Sequence, residues 1–352
     1  MDHLYAVILA GGSGTRFWPA SRRSRPKQFL AIGSPSPLLT TTVDRLDGLI
    51  PPERILIVTG DEHAGLVAEV CPQIPADNVL AEPTGRNTLP CVAWATAELL
   101  RRDPDGVHAV LPADHVIEPQ SAFREAVATA ARAAADAPTG LFTFGVRPTF
   151  PATGFGYILA GEELDGAGLH RVQRFVEKPD AARAEEFVAD PAYLWNSGMF
   201  VWHGQAIAAA LETHAPATWQ ALRSAPLEAV RAAYPGLAAD SVDTGVMELW
   251  NDVRVLPIDY GWSDVGAWTA LPDVLAADGA GNISSGGGQL IAEDSSGCIA
   301  HGDEGQLTAL LGVHDLVVVQ SGGITMVCPR ERAQEVRKLV ERTRAEAPDK
   351  LL

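Results

Sequence analysis

Short, almost continuously apolar runs alternate with longer stretches of helical periodicity through the first two-thirds of the chain. An apolar run without regular alternation is typical of a strand that is covered on both faces. Strands separated by helices at this spacing predict βαβ units. The fold class that follows is α/β, a Rossmann-like three-layer αβα domain around a mixed, mostly parallel sheet. The predicted strands are 4–10, 54–60, 107–113 and 140–146, and the predicted helices are 38–50, 88–102 and 122–137.

The pattern changes after about residue 270, where the sequence becomes rich in Gly and Ser. We interpret the stretch 278–289 as a linker between two domains, because such a composition is typical of a domain connection. The predicted domains are a main domain, 1–277, and a small C-terminal domain, 290–352.

Turns rich in Gly and Asp separate the apolar runs of the C-terminal domain, which predicts a small all-β module. One or two coils of a β-solenoid would accommodate it. A helix is predicted over 330–346, because Val336, Leu339, Val340 and Thr343 fall on one helical face. The strand candidates are 289–293, 297–301, 306–311, 315–320 and 324–329.

The composition narrows the choice of partners. The 352 residues include 27 Lys and Arg against 44 Asp and Glu, a formal net charge of −17. Such acidity counts against binding nucleic acid or an anionic membrane through overall charge. The apolar runs fall short of the roughly 20 residues that cross a bilayer, and the acidic N-terminus is unlike a signal peptide. We therefore expect a cytoplasmic protein without nucleic-acid or membrane partners.

Cysteine and histidine spacing counts against two further classes of protein. The four cysteines are far apart and form no CxxC, and the nine histidines form no HxH or HExxH pair. A disulfide scaffold and a zinc site are therefore both disfavoured.

The most informative segment follows the first predicted strand. It reads LAGGSGTRFWPASRRSRPKQFL over residues 9–30. Gly11, Gly12 and Gly14 permit a close backbone approach and leave N–H groups able to face an anion. The segment also concentrates positive charge, since Asp2 is the only acid before Asp44. Its cations are Arg16, Arg22, Arg23, Arg25 and Lys27.

Two familiar glycine-rich motifs do not fit this segment. A Walker A loop requires Gly-Lys-Ser/Thr, but Gly14 is followed by Thr15 and Arg16. A dinucleotide-binding fingerprint requires a third glycine where this chain has Phe17. The alternatives are a phosphate-binding loop of another kind, or a flexible turn before a solvated basic stretch.

Two motifs near predicted strand ends have both structural and functional interpretations. In EPTGRNTLP, 82–90, Asn87 or Thr88 would cap the next helix. Asp114 follows a predicted strand, where a turn or cap residue is common but where open α/β sheets also bind ligands. A Mg²⁺–triphosphate site needs one or two carboxylates, and Asp264 in DYGWSDVGAW is the natural second one.

Three later motifs also have ordinary structural interpretations. The glycines of 150–158 suit a hairpin turn, and Glu177 with Lys178 could be an exposed surface pair. The segment 194–202 could be a buried strand with a bulge at Gly198.

Taken together, the motifs resemble a known family. GGSGTRFWPASRRSRPKQF resembles the signature of the sugar-phosphate nucleotidylyltransferases, and its RPKQF ending resembles their mannose-1-phosphate guanylyltransferase branch. EPTGRNTLP, TGFGYI, FVEKPD and LWNSGMFVW resemble further segments of that family, in the same order. The C-terminal part, 310–339, resembles the short left-handed β-helix-like end of the same branch.

The resemblance implies a reaction: GMP passes from GTP to mannose 1-phosphate, giving GDP-mannose and pyrophosphate, with Mg²⁺ as cofactor and a homodimer as the assembly. It also implies roles for individual residues. The catalytic cations would be Arg16 and Lys27, and the metal ligands Asp114 and Asp264. The nucleotide would contact Gly11, Gly12, Gly14, Thr15, Asn87 and Thr88, and the sugar phosphate Gly156, Glu177, Lys178 and Asn196.

Alternatives stay open at this point. One is a sister enzyme for another NTP or another sugar phosphate, such as glucose or a heptose, and another is a non-catalytic sensor of sugar nucleotides. The chain also departs from the family pattern, since Phe155 replaces a common Tyr, Thr244 a large apolar residue and Leu249 a common Lys. Leu89 and Cys91 stand where smaller residues are commoner.

Overall fold

The computed structural model of the protein describes residues 1–12, 14–164, 166 and 168–346. The predicted three-layer α/β domain is confirmed, with a central sheet between two helical layers. The strands of this domain are β1 (Leu4–Ala10), β2 (Ile55–Gly60), β3 (Val79–Glu82), β4 (Val107–Pro112), β5 (Val116–Glu118), β6 (Leu141–Val146), β7 (Tyr157–Glu163), β8 (His170–Val176), β9 (Tyr193–His203), β10 (Val253–Ile258) and β11 (Gly261–Ser263).

The main sheet has the strand order β3-β2-β1-β4-β9-β6-β10-β8-β7. Seven of these nine strands run in one direction, and β8 and β9 run in the other. The sheet is therefore mixed and mostly parallel, as predicted. A separate antiparallel pair, β5 and β11, brings the two segments around Asp114 and Asp264 together.

The helices are α1 (Leu38–Asp44), α2 (Ala64–Val70), α3 (Thr88–Arg102), α4 (Gln120–Asp136), α5 (Ala181–Ala189), α6 (Gly204–His214), α7 (Pro216–Leu222), α8 (Leu227–Ala233) and α9 (Val336–Glu346). None of them, in the part of the chain that the structure describes, is long and apolar enough to cross a membrane. Helix α3 has the predicted bounds, and Asn87 caps it by accepting a hydrogen bond from the Thr88 N–H at 2.9 Å. Helix α1 is shorter than predicted and is followed by turns, one of which uses Gly48 at φ +76°.

Two hydrophobic clusters fill the space between the sheet and its helical layers. Strand β1 contributes to both, because alternate side chains point to opposite faces. Leu4, Ala6 and Ile8 pack on one side with α4, whereas Val7 packs on the other with α3 and α6. This double burial explains why the strand reads as a continuous apolar run.

The C-terminal module contains β12 (Ile283–Gly286), β13 (Gln289–Glu293), β14 (Ile299–Gly302), β15 (Leu307–Leu311), β16 (Leu316–Ser321) and β17 (Ile324–Pro329). Strands β12, β14 and β16 are parallel neighbours, and β13 pairs in parallel with β15. Alternation between two stacked sheets is the arrangement of β-helix coils. The predicted small β-helix-like module is confirmed.

The predicted linker and the predicted terminal helix both need correction. Residues 283–286 of the linker form β12, because Ile283 inserts into the hydrophobic cluster beneath the module. The predicted helix begins as a 3₁₀ segment, Arg330–Glu335, before α9. Val336 and Val340 are buried, but Leu339 is 42% exposed and does not belong to the packed face. Residues 347–352 of the predicted C-terminal domain lie outside the described residues.

Candidate active site

A cleft of about 580 Å³ opens at the carboxyl ends of the parallel strands β3, β2, β1 and β4. Ligands of open α/β sheets bind at this edge. Of the predicted nucleotide contacts, Gly11, Gly12, Asn87 and Thr88 line the cleft, together with Asp114. The structure therefore brings together segments that are more than 70 residues apart in the sequence.

The glycine loop continues into a smaller cavity of about 200 Å³, where the predicted cations and carboxylates meet. Thr15 begins a 3₁₀ turn, Thr15–Phe17, that presents Arg16 to this cavity. The cavity is lined by Gly14, Arg16, Phe17, Lys27, Asp114, His115, Asp264 and Gly266.

Lys27 is the centre of this cavity. It is only 5% exposed, and its ammonium donates to Asp114 Oδ2 at 2.8 Å and to the backbone oxygen of Asp264 at 2.6 Å. The loop can pass so close because Gly14 has no side chain: a Cβ there would lie 2.5 Å from Lys27 Cβ. Gly14 also has φ +55°, which an L residue adopts with strain. Gly14 is therefore required both for space and for backbone conformation.

The two carboxylates have opposite electrostatics. Burial favours the neutral form of Asp114, but the charge of Lys27, with a contribution from His115, outweighs it and holds the pKa of Asp114 below its ordinary value. Burial raises the pKa of Asp264, the negative charge of Asp114 raises it further, and Lys27 and Arg16 only partly oppose this. A cation placed between the two carboxylates would favour the ionised form of both.

Arg16 and Asp264 converge above Gly266. A Cβ at Gly266 would lie 2.9 Å from Asp264 Oδ2 and 3.3 Å from Arg16 Nη1. Burial lowers the pKa of Arg16, although a guanidinium keeps its charge at neutral pH. Arg16 therefore supplies a second positive charge to the cavity that holds Lys27.

At the other end of the cleft, a buried carboxylate that was not predicted as a site residue forms part of the lining. Glu82 Oε1 accepts hydrogen bonds from the Tyr234 hydroxyl at 2.6 Å and from the Cys91 thiol at 3.1 Å. Burial raises the pKa of Glu82, and these two donors oppose that shift. Its other oxygen, Oε2, lies 4.0 Å from where a Cβ of Gly11 would be. Glu82 thus presents an acceptor beside the glycine loop.

The predicted sugar-phosphate contacts form a second cluster. A Cβ at Gly156 would lie 2.5 Å from Glu177 Oε2 and 3.4 Å from Asn196 Cβ, so Gly156 lets these side chains approach the backbone. Lys178 forms an ion pair with Glu177 and has its backbone at φ +47°. The four predicted residues are therefore neighbours.

Asp243 joins this cluster to the cleft, and it too was not predicted as a site residue from the sequence. Its Oδ1 accepts from Asn196 Nδ2 at 2.7 Å, and Asp243 lines the large cleft. Burial and the charge of Glu177 raise the pKa of Asp243. The available signal was the neighbouring departure Thr244, which lies with Asp243 in the segment SVDTGVMELW, 241–250. Both residues belong to the π-helical turn Asp243–Met247.

The five cations of the basic segment have different surroundings in the structure. Arg22 donates to the Ser321 backbone oxygen at 2.6 Å and so contacts the C-terminal module. Arg25 donates to the Phe29 backbone oxygen, and Arg23 pairs with Glu62 at the rim of the large cleft. Of the five cations, only Arg16 and Lys27 line the small cavity. These two are the cations to which the family resemblance assigns a catalytic role, whereas Arg22, Arg23 and Arg25 have protein partners elsewhere.

Two departures from the family pattern now have a structural context. Phe155 packs edge-on against Trp195 and Trp262, with ring centroids 5.1 and 5.6 Å away, so an aromatic ring fits this wall without a hydroxyl. Leu249 is 51% exposed. A lysine at that position would not belong to the hydrophobic core.

The small cavity offers two carboxylates, Asp114 and Asp264, as candidate metal ligands. Among the described residues there is no cluster of three or more His, Cys, Asp or Glu side chains that could hold an ion. Asp114 and Asp264 face one cavity and offer only oxygen donors. This set fits Mg²⁺, which is commonly held by one or two carboxylates plus substrate phosphates, and does not fit a structural zinc ion. All four cysteines lie in the described ranges and are free.

Comparison with known proteins identifies both parts of the chain. Residues 5–280 match the nucleotidyl transferase family, and residues 288–343 match the MannoseP isomerase/GMP-like beta-helix domain. The alginate biosynthesis protein AlgA of Pseudomonas aeruginosa is 40% identical over 95% of this chain and 71% of its own length. Mannose-1-phosphate guanylyltransferase of Klebsiella pneumoniae is 39% identical over 96% of this chain and 73% of its own.

A solved structure agrees with these matches. The crystal structure of a protein named mannose-1-phosphate geranyltransferase, from Thermus thermophilus, superposes with a TM-score of 0.90 at 37% identity. The superposition covers 97% of this chain and 99% of the other, so it includes the C-terminal module.

Proposed function

Starting from the fact that this chain belongs to the nucleotidyl transferase family, we propose that it transfers GMP from GTP to mannose 1-phosphate, releasing GDP-mannose and pyrophosphate. The observation that carries the proposal is the small cavity in which Lys27, Arg16, Asp114 and Asp264 meet at the end of the glycine loop. The guanylyltransferases among its relatives support the choice of substrates.

The reaction needs positioning and charge compensation more than proton transfer. The nucleophile is a phosphate oxygen of the sugar phosphate, which is already anionic at neutral pH. It attacks the α-phosphorus of GTP, and the bond to the β-phosphate oxygen breaks as pyrophosphate leaves in line on the opposite side. Negative charge builds on the leaving group, so fixed cations that face it lower the barrier.

Lys27 and Arg16 are suited to this role because their positions are fixed before substrate binds. Lys27 is held by two hydrogen bonds, and Arg16 is placed by the 3₁₀ turn after the glycine loop. Little reorganisation is then needed during the reaction. Asp114 and Asp264 would hold Mg²⁺, which when bound compensates charge on the triphosphate.

The carboxylate of Glu82 supports the proposal that the bound base is guanine. Guanine presents two neighbouring donors, N1–H and the 2-amino group, which a carboxylate accepts well. Adenine has no N–H at the corresponding ring position, and the pyrimidines do not offer the same donor pair. Because Oε1 of Glu82 is already fixed by Tyr234 and Cys91, its orientation is set before the base arrives.

The cluster of Glu177, Lys178 and Asn196 supports binding of a sugar phosphate. Carboxylate and amide groups are the usual partners of sugar hydroxyls, and Lys178 offers an ammonium for the phosphate. Glu177 and Asp243 together place two acceptors around Asn196. This cluster lies beside the cleft that would hold the nucleotide.

A pyrophosphate-release assay with four NTPs and several sugar 1-phosphates tests the proposal. We expect turnover with GTP and mannose 1-phosphate. Turnover confined to another pair would indicate a sister enzyme that uses glucose or heptose phosphate, and binding of sugar nucleotides without turnover would indicate a sensor.

We also propose that the protein works as a cytoplasmic homodimer, as the family resemblance implies. The outward face of β13 and β15 supports an assembly, because Ile291, Leu307 and Leu311 are 60%, 51% and 75% exposed. Exposed apolar side chains grouped on one sheet are common at subunit contacts. Sedimentation equilibrium would test this, and a monomer at micromolar concentration would contradict it.

A further inference from the structure

The C-terminal module packs directly beneath the small cavity. Phe17, which follows Arg16, and Val265, which follows Asp264, are both fully buried in one hydrophobic cluster. The same cluster contains Ile299, Val317 and Val336 of the module. Two segments that carry active-site side chains are thus anchored in a core that the module completes.

One polar side chain of the module reaches the active site. Gln334, in the 3₁₀ segment before α9, places its Oε1 3.5 Å from Arg16 Nη1. Gln334 also lines a cavity of about 710 Å³ together with Arg16, Asp264 and Gly266. This contact joins residues 318 positions apart.

We propose that Gln334 is a positioning residue for Arg16, which it holds toward the leaving pyrophosphate. The proposal rests on the proposed function of the cavity. An amide oxygen is suited to this task because it accepts a hydrogen bond without cancelling the positive charge of the guanidinium. A carboxylate in its place would form an ion pair and reduce the field of Arg16 at the phosphates.

The other groups near Arg16 are less suited than Gln334 to hold its guanidinium in place. Asp264 lies on one side of the guanidinium across Gly266, but as a metal ligand its carboxylate would be engaged elsewhere. The positive charge of Arg337 disfavours the charged form of Arg16 and so lowers its pKa. Gln334 therefore offers a neutral acceptor to a guanidinium that has an acidic and a basic neighbour.

Kinetics of Gln334→Met and Gln334→Glu test the proposal. Met keeps the length of the side chain but accepts no comparable hydrogen bond, so we expect kcat with GTP and mannose 1-phosphate to fall by about fivefold to tenfold, with little change in KM for mannose 1-phosphate. Gln334→Glu should lower kcat further. The matched control is Glu331→Gln, on the same exposed segment, which should retain wild-type kinetics.

A double-mutant cycle separates positioning from a general structural effect. If Gln334 acts through Arg16, Gln334→Met should change kcat less than about twofold in an Arg16→Lys background. Equal fold-changes in both backgrounds, or wild-type kcat for Gln334→Met alone, would overturn the proposal. A loss of kcat that is accompanied by a matching decrease in the thermal unfolding midpoint would also overturn the proposal.

Binding of inorganic pyrophosphate provides a readout that does not depend on the choice of base or sugar. Isothermal titration should show weaker pyrophosphate binding for Gln334→Met in the wild-type background and little further loss in the Arg16→Lys background. If the wild-type protein released no pyrophosphate from any substrate pair but this coupling persisted, the proposed function would fail while the role of Gln334 stood. Unchanged pyrophosphate affinity together with an additive cycle would reject that role.

Discussion

The ammonium of Lys27 lies 2.8 Å from Asp114 Oδ2, deep enough that only 5% of Lys27 is exposed. Such an ion pair is weak support for stability, because desolvation of the buried ammonium offsets its attraction to the partly exposed Asp114 carboxylate. The pair lies at the end of the glycine loop, where its role is chemical. It fixes the positive charge of Lys27 beside Asp114, a carboxylate that could hold a metal ion.

Replacing Lys27 by Met should abolish most of the turnover. We expect kcat to fall by at least about 100-fold, the typical cost of losing a fixed group that stabilises developing charge. Pyrophosphate release measures this effect. Arg25→Met is the matched control, because Arg25 belongs to the same basic segment but donates to the Phe29 carbonyl. Similar losses in the two variants would mean that general positive charge, rather than Lys27, is required.

Asp114→Asn should lower turnover by orders of magnitude and leave the fold intact. The amide has the same shape but lacks the charge that favours a bound Mg²⁺. Turnover at increasing Mg²⁺ concentration and far-UV circular dichroism provide the two readouts. Near-normal activity would show that Asp114 is not a metal ligand, and the exposed Asp105→Asn serves as the control.

Gly266→Ala should impair activity with little loss of stability. The added methyl group would lie 2.9 Å from Asp264 Oδ2 and 3.3 Å from Arg16 Nη1, so these two side chains must move apart. Steady-state kinetics and thermal unfolding would be compared with Gly279→Ala, where a Cβ meets nothing within 4 Å. Wild-type kcat in Gly266→Ala would show that the spacing of Arg16 and Asp264 is not critical.

Glu82→Gln should reduce the preference for GTP. The amide keeps an acceptor for Tyr234 but offers no carboxylate to guanine, so kcat/KM for GTP should fall by about tenfold or more. We expect kcat/KM for UTP to change less, so the ratio of kcat/KM for GTP to that for UTP should decrease. Glu62→Gln, at the rim of the same cleft, should leave that ratio unchanged. An unaltered GTP preference in Glu82→Gln would assign base choice to other contacts.

His108 should make the protein sensitive to acid. Its ring is fully buried with both nitrogens unpaired among the described residues, and burial lowers its pKa from 6.5 to about 3. Below pH 6.5 His108 is protonated in the unfolded chain but stays neutral in the folded protein. The free energy of unfolding therefore decreases as the pH falls from 6.5 toward 3. The cost is about 1.4 kcal/mol per pH unit.

Urea unfolding of wild-type protein and of His108→Asn between about pH 7 and pH 4.5 would measure this contribution. The variant should lose less of its free energy of unfolding over that range, whatever its stability at neutral pH. Parallel losses in both proteins would place the acid sensitivity elsewhere, for instance at His115, whose pKa burial lowers to about 4.

The fold class and most element bounds follow from the sequence alone. Strand β1 and helix α3 have the predicted limits, because continuous apolar character and helical periodicity are local properties that reflect which faces are buried. The glycine loop was also readable, since its conformation requires glycine at Gly14. The family resemblance also predicts Lys27, Asp114 and Asp264 as site residues, and they line one cavity.

Which cations share the small cavity and which residues complete the cleft depend instead on tertiary packing. Nothing in the local pattern distinguishes Arg22, which donates to Ser321, from Lys27, which donates to Asp114. Glu82 became a candidate through Tyr234, 152 positions away, and Gln334 through Arg16, 318 positions away. Local pattern records the burial of each residue, whereas these partnerships depend on how distant segments pack against one another.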